Sequence, residues 1–247
     1  MRFWISLFVS ILALAGTAQA QSRAAGQGFD ITAQNGIGFD AAAGLYRATG
    51  EVQLVAGEWV VLSDTLVARL NEARDTILSV EATGQVYVQR GALKAQVREL
   101  LVRPLDETIE MTGAPVNIQL GEDRLVSDGL VRLNQKAGSV QVTGDFVLVV
   151  EGVQMSGREA AGQFEGDTLQ RFEALGDVRI EGEDWIAAAE RVALDRATND
   201  LQLEGAVALQ QGSLILSGNR VDYNLATGSL SIDGQDNGRI RGALNLE

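Results

Sequence analysis

The fold is decided by the stretch Leu214-Ile-Leu-Ser-Gly-Asn-Arg-Val-Asp-Tyr-Asn-Leu-Ala-Thr-Gly-Ser-Leu-Ser-Ile-Asp-Gly234. Apolar and polar residues alternate in it, and the apolar ones fall in pairs: Leu214/Leu216, Val221/Tyr223 and Leu230/Ile232. Strict alternation is typical of β-strands that bury one face, while glycine and asparagine between such runs favour turns. The stretch therefore predicts short antiparallel strands joined by turns.

The same pattern recurs along the chain, and each recurrence begins at a glycine. These anchor glycines are 29 to 34 residues apart, at Gly50, Gly84, Gly113, Gly144, Gly176, Gly205 and Gly234. Apolar residues stand at the second and fourth positions after Gly50, Gly84, Gly144, Gly176 and Gly205, and in the third unit Pro115 shifts them to Val116 and Ile118. We expect two to three short strands per unit, the first opened by the glycine. Because no unit can bury its apolar face alone, stacked units must share one core.

Two stretches have a competing interpretation. Residues 64–80 carry apolar residues at helix spacing, and residues 184–194 are rich in alanine and glutamate, which favour helices. Equivalent positions of a repeat share a structure, so we predict strands in both, with a helix as the alternative. Residues 29–50 and 238–242 resemble half units, so open strand edges are expected at the ends of the array.

The first twenty residues predict a secretory signal peptide. Arg2 precedes an apolar run from Phe3 to Ala15, and Ala18-Gln19-Ala20 is a small-x-small cleavage sequence. The rival interpretation is a membrane anchor, but the run is shorter than the ~20 apolar residues that a spanning helix needs. We expect residues 1–20 to be cleaved on export to the periplasm. Residues 21–28 would then be a short segment before a single repeat-built domain, residues 29–247.

The composition excludes several classes of protein. The 247 residues include no cysteine and no histidine, and 20 Lys+Arg against 33 Asp+Glu give a net charge of −13. The absence of cysteine and histidine excludes disulfides, thiol nucleophiles, Ser-His-Asp triads and the common zinc and haem sites. The negative net charge makes the chain unsuited to binding nucleic acid. We expect no cofactor and no enzymatic activity. An enzyme would have to use carboxylate pairs, for which the candidates are Glu181/Glu183/Asp184 and Asp106/Glu107/Glu110, at turns or outward positions.

Two stretches, Ser217 to Gly234 and Phe39 to Gly57, resemble the repeat of the OstA-like N-terminal domain. This domain belongs to the LptA-type periplasmic lipopolysaccharide-transport bridge family. The chain departs from the family pattern after the anchor glycines, where Glu51, Gln85 and Asp177 are examples of residues that replace asparagine. The resemblance implies an elongated open β-jellyroll that holds the acyl chains of lipopolysaccharide or a related lipid. It also implies end-to-end joining, with itself or with inner- and outer-membrane components of the same fold.

The candidate binding site is an apolar trough formed by inward-facing residues. Its members are Val52, Leu54, Trp59, Val86, Val88, Phe146, Leu148, Val178, Ile180, Trp185, Val207, Leu209, Leu214, Leu216 and Tyr223. Arginine suits bidentate contact with phosphate, so Arg220, Arg239 and Arg241 are candidates for a lipid headgroup. In the alternative hypothesis, the same apolar residues form the solid core of a structural β-repeat scaffold of the cell envelope, without lipid cargo.

Overall fold

A computed structural model describes residues 30–150, 152–165, 168–183, 185–224, 226–227, 229–233 and 241–244. These residues form eighteen strands and no helix, which confirms the predicted all-β class. The strands are β1 (Asp30–Thr32), β2 (Gly36–Asp40), β3 (Leu45–Ala56), β4 (Trp59–Leu70), β5 (Ile77–Arg90), β6 (Leu93–Arg103), β7 (Thr108–Thr112), β8 (Val116–Leu120), β9 (Asp123–Ser127), β10 (Leu130–Asn134), β11 (Ser139–Val150), β12 (Val153–Glu165), β13 (Thr168–Glu181), β14 (Trp185–Asp195), β15 (Asp200–Gln211), β16 (Leu214–Asn224), β17 (Leu230–Asp233) and β18 (Arg241–Leu244). The predicted signal peptide and residues 21–28 lie outside the described residues.

The strands form an antiparallel meander that is folded along its middle. Each long strand crosses both halves: residues 45–49 of β3 pair with β2, and residues 53–55 of the same strand pair with β1. We call the half that contains β2, β7, β10 and β17 sheet I, and the half that contains β1, β8, β9 and β18 sheet II. The long strands contribute one segment to each sheet. The predicted elongated β-jellyroll is thereby confirmed.

The six anchor glycines from Gly50 to Gly205 lie at the fold line between the two sheets, and Gly234 lies outside the described residues. Register shifts interrupt the pairing there, as between Thr49 and Val52 in β3 and between Leu175 and Val178 in β13. Such bulges bend a strand and increase its twist. The expectation that each glycine opens a strand is wrong, because Gly50, Gly84, Gly144, Gly176 and Gly205 lie inside strands of 12 or 14 residues. Most repeats are therefore two long bent strands rather than two to three short ones, whereas the unit that begins at Gly113 contains the short strands β8, β9 and β10.

Gly84 shows why the bend requires glycine. Its φ of +101° is a conformation that residues with a Cβ rarely adopt, and an added Cβ would collide with the side chain of Asp64 on the preceding strand. Gly176 has a φ of +80°, and its Cβ would lie 2.9 Å from the Cβ of Arg158. The glycine that marks each repeat in the sequence is thus the point at which the backbone crosses from sheet I to sheet II.

Both disputed stretches are strands. Residues 64–80 comprise the end of β4, a turn and the start of β5, and residues 185–194 lie within β14. The residues of β14 alternate in burial: Ala187 and Ala189 face the interior, while Ile186 and Glu190 are exposed. Cross-strand pairing with β13 and β15 on either side overrides the helix propensity of alanine and glutamate.

The ends of the meander have the expected open strand edges, although residues 238–240 of the predicted carboxy-terminal half unit lie outside the described residues. Both β1 and β2 pair with β3, while both β17 and β18 pair with β16. Within the described residues, the other edge of each of these four short strands pairs with nothing. Each sheet contains fourteen successive strand positions, so at ~4.8 Å per strand the two edges are about 60 Å apart.

Candidate functional site

The interior between the sheets is built by the alternation of each strand. Thirty-three buried hydrophobic side chains, from Val61 to Val221, form one continuous cluster drawn from both sheets. A smaller cluster of Ala48, Val52, Leu66 and Ala68 fills the amino-terminal end, and Leu54 packs against both. With no helix among the described residues, the facing sheet is what covers each apolar face.

The predicted trough residues lie on the interior, almost all of them on sheet II. Eight are buried: Val52, Val86, Val88, Phe146, Leu148, Val178, Ile180 and Val207. Six are partly exposed: Leu54, Trp59, Trp185, Leu209, Leu216 and Tyr223. Backbone pairing places Leu214 in β16, but its side chain lies outside the described residues. The outward neighbours Gln53 and Arg179 are exposed, as alternation predicts.

On the opposite wall, sheet I, the sequence predicts only Val221 and Tyr223 as inward-facing residues. Its residues stand at the second and fourth positions before each anchor glycine: Ala82 and Val80, Met111 and Ile109, Val142 and Val140, Ala174 and Phe172, Leu203 and Leu201. The signal in the sequence was therefore symmetrical about the glycine. The predicted site contains only the second half of this pattern, because the prediction places a strand start at the glycine rather than the middle of a strand.

Burial in the interior decreases from the fold line toward the turns. Ala82, Val116 and Ala174, close to the fold line, are fully buried. Several interior side chains beside the turns are only partly buried, although others there, such as Leu93 and Val150, are buried. We call the partly buried ones the mouth: Trp59, Leu120, Val153 and Trp185 on sheet II, and Val102, Ile109 and Leu201 on sheet I. The two sheets thus pack tightly at the fold line and leave apolar side chains accessible at the mouth.

One arginine that sequence reasoning missed lies at the mouth. Arg90 has the inward register of Val86 and Val88, and its guanidinium lies 5.2 Å from the centre of the Trp59 ring. Its Nε is 3.4 Å from Oε2 of Glu58. A cation over an indole face is stabilised by the ring quadrupole. Positive charge is therefore fixed at the edge of the apolar interior.

Apolar side chains are uncovered at the two ends of sheet I. Ile37, Phe39 and Tyr46 are 52%, 42% and 37% exposed, and the rings of Phe39 and Tyr46 stack with centroids 4.4 Å apart. At the opposite end Leu230, which pairs with Tyr223, is 42% exposed. These residues continue the interior rows of sheet I, so the apolar lining extends to both edges of the jellyroll.

The outer face of sheet I carries a network of ion pairs. Arg191 donates to Glu173 and, at 2.7 Å, to Glu204, and these bonds raise the pKa of its guanidinium. Arg220 donates to Asp222 at 2.8 Å and 2.9 Å and to Glu204 at 2.8 Å, which raises its pKa as well. Arg220 is thus occupied by three bonds on the outer face, away from the apolar interior. Arg239 and the side chain of Arg241 lie outside the described residues.

An open groove of about 420 Å³ lies on the same outer face, across β12 to β15. Its lining mixes charged residues such as Arg171, Glu173 and Asp195 with Ala161 and Gly162. Arg171 is bonded to Asp195 at 3.2 Å. Such a lining does not suit an acyl chain, because the paired charges would be desolvated.

Two of the carboxylates considered for an enzyme, Glu110 and Glu181, are bonded to arginines. Glu110 is held between Arg103, at 2.9 Å, and Arg132, at 3.1 Å. Glu181 is bonded to Arg179, and Asp184 lies outside the described residues. In the part of the chain that the structure describes, no group of three or more carboxylates is arranged to hold a metal ion. A search of the same residues finds no helix with the length and apolarity to cross a membrane.

Comparison with known proteins connects this architecture to a family. Residues 114–229 match the family model described as LptA/(LptD N-terminal domain) LPS transport protein. This confirms the resemblance seen in the sequence. No curated protein sequence matches the chain.

Among solved structures, the chain is similar to LptH, the LptA homologous periplasmic component of the conserved lipopolysaccharide transport device from Pseudomonas aeruginosa. The two are 14% identical, the alignment covers 50% of this chain and 95% of LptH, and the TM-score is 0.44.

Proposed function

We propose that this protein is a periplasmic lipid carrier of the bridge type, which holds the acyl chains of lipopolysaccharide or a related lipid between its two sheets. The observation that carries the proposal is the single apolar interior, which spans the sheets from edge to edge and is accessible along the mouth. Each acyl methylene buried there contributes about 0.8 kcal/mol. Anionic headgroups stay in solvent outside the mouth, so the acidic exterior does not oppose binding.

In this proposal the sheets separate at the mouth and remain joined at the fold line. The mouth residues are already partly exposed, whereas the side chains at the fold line are fully buried. Arg90 then lies where an anionic headgroup would be, since it combines an inward register with a position beside Trp59. It replaces Arg220 as our candidate for that contact.

The test is photo-crosslinking in native membranes and periplasm. A benzophenone side chain at Leu54 or Ile180 is expected to capture lipid, because both positions face inward. The matched controls are Gln53 and Arg179, adjacent positions on the same strands that face outward. Circular dichroism of each variant checks that the fold is retained. Equal capture at inward and outward positions contradicts the proposal.

Arg90 is tested separately. Arg90→Gln is expected to weaken binding of an anionic lipid severalfold, while Arg124→Gln, on the outer face of sheet II, leaves binding unchanged. If both substitutions weaken lipid binding equally, the loss of affinity is due to the change in the protein's net charge rather than to a contact at the mouth.

The second candidate is a structural scaffold without lipid, and the close packing of the interior favours it. Val52, Val178 and Ile180 are 1% exposed, as in an ordinary core. Mass spectrometry of protein purified from its native periplasm separates the two candidates. Lipid is expected to co-purify with a carrier, whereas no lipid should co-purify with a scaffold. Amino-terminal sequencing of the same sample, with Gln21 expected first, tests the predicted signal cleavage.

For partners, we propose that the free edges join a second copy or membrane components with the same jellyroll. Antiparallel strand addition would place β2 of one molecule beside β17 of the next and continue the interior rows. The chain has no cysteine, so single substitutions are easy to interpret. A mixture of Phe39→Cys and Leu230→Cys proteins is expected to form a disulfide-linked heterodimer. Homodimers of each variant alone, without the heterodimer, would contradict a head-to-tail arrangement.

A further inference from the structure

Ser63 places a hydroxyl in the apolar interior. It faces inward on the sheet II part of β4, is 4% exposed and pairs with Val52 of β3. Its Oγ has no hydrogen-bond partner. Among the described residues, the other buried side-chain oxygen without a partner is Oγ1 of Thr108, which has the outward register of β7.

A second buried serine shows how such a hydroxyl is ordinarily satisfied. Ser127 has the same inward register on sheet II, and its Oγ accepts a hydrogen bond from the backbone N–H of Gly129 at 3.2 Å. Burial of a hydroxyl without a partner is unfavourable, and alanine at the same position would remove the cost. The protein therefore keeps at Ser63 a group that its own chain does not satisfy.

The surroundings of Ser63 are small side chains. It lies between the two core clusters, with Val52 on one side and Val61 and Val86 on the other. Across the fold line, sheet I presents Ala48 and Ala82 on either side of Leu66. In the same interior rows at the centre of the jellyroll stand Leu100, Met111 and Val131. The amino-terminal section is thus lined by less side-chain volume than the centre.

We propose that Ser63 is a ligand-binding residue, which forms a hydrogen bond with an oxygen carried on the acyl chain of the bound lipid. The inference rests on the proposed function and adds a preference for oxygenated over plain acyl chains. Ser63 is four residues from Trp59 at the mouth, a depth of about 13 Å at 3.3 Å per residue. A lipid whose headgroup stays at the mouth reaches that depth only with the middle or end of its chain. The oxygen is accordingly expected away from the carboxyl end.

The test compares stearic acid with 12-hydroxystearic acid, as competitors of a fluorescent fatty acid bound to the full mature protein. The wild-type protein is expected to bind the hydroxylated acid about five- to tenfold more tightly, the effect of one net hydrogen bond. Ser63→Ala is expected to abolish this preference and to keep the affinity for stearic acid. The matched control Ser127→Ala, whose hydroxyl already has a partner, keeps the preference.

The outcomes separate this inference from the proposed function. If both acids bind the wild-type protein equally, the role of Ser63 is overturned and the lipid carrier stands. If neither acid binds, both are overturned. Urea unfolding of Ser63→Ala supplies a second measurement: unchanged or raised stability supports an unsatisfied hydroxyl, and a clear loss means that the hydroxyl serves the fold instead.

Discussion

The fold line and the mouth are made from the same strands, but they differ in backbone conformation and in how deeply their side chains are buried. At the fold line, positive-φ glycines and fully buried side chains bring the two sheets together. At the mouth, four residues further along the same strands, the side chains are partly exposed and include Trp59 and Trp185. Sequence alternation is identical in both regions, so the difference arises from distance to the bend.

This difference separates stability from binding. A close-packed interior cannot lose a methyl group without cost, whereas partly exposed side chains can move apart at lower cost. We therefore expect substitutions at the fold line to lower the free energy of unfolding. Substitutions at the mouth should instead change lipid affinity.

The largest effect is expected deep in the interior. Leu125 is 0% exposed, so Leu125→Ala should lower the free energy of unfolding by about 3 to 5 kcal/mol. Urea denaturation followed by circular dichroism measures it. The control is Leu105→Ala, in a turn at 63% exposure, which should change stability by less than about 0.5 kcal/mol. Similar effects at both positions would mean that the interior is not close-packed.

The next effect tests the bend itself. Gly176→Ala forces a Cβ into the positive-φ region and against Arg158, with an expected loss of about 1 to 3 kcal/mol. Gly38→Ala is the matched control, because Gly38 lies in β2 at an ordinary φ with open space around the added Cβ. A loss at Gly38 as large as at Gly176 would assign the effect to strand glycines in general rather than to the fold line.

The glycine periodicity also explains what was predictable from the sequence. Alternation around Gly176 and Gly205 predicts strands, a shared core and the inward register of Val178 and Val207, all of which the structure contains. It does not show that the strand continues through the glycine, because a glycine that ends a strand and a glycine that bends one look the same in the sequence. The wall at Phe172 and Leu203 was therefore overlooked, although its alternation is equally regular.

Other parts of the site depend on contacts that alternation does not encode. Arg90 has the apolar register of its strand, and only the position of Trp59 on the neighbouring strand β4 identifies it as a mouth residue. Arg220 has a sequence context suited to an exposed phosphate contact, but its neighbours across the sheet are Glu204 and Asp233. The identity of a cross-strand neighbour follows from register, which the bulges shift at each fold line.

The third prediction concerns the mouth. Trp185→Ala removes a large, partly exposed side chain, so the expected loss of stability is about 1 to 2 kcal/mol, below that of Leu125→Ala. Lipid affinity should fall about tenfold, because the indole supplies apolar area where the chain enters. Parallel urea denaturation and fatty-acid competition measure both. A variant that loses stability without losing affinity would place the binding site away from the mouth.

The smallest effect is expected on the outer face of sheet I. Arg191 joins Glu173 to Glu204, but its side chain is 38% exposed, so solvent screening limits the contribution of the pairs. Arg191→Gln should lower the free energy of unfolding by about 0.3 to 1 kcal/mol at low salt, and the difference from wild type should shrink in 1 M sodium chloride. Lipid binding should not change, since the network faces away from the interior.

An affinity loss in Arg191→Gln equal to that in Trp185→Ala would move the site to the outer groove, where Arg191 lies beside Arg171 and Asp195. The division between a stabilising fold line and a binding mouth would then not hold.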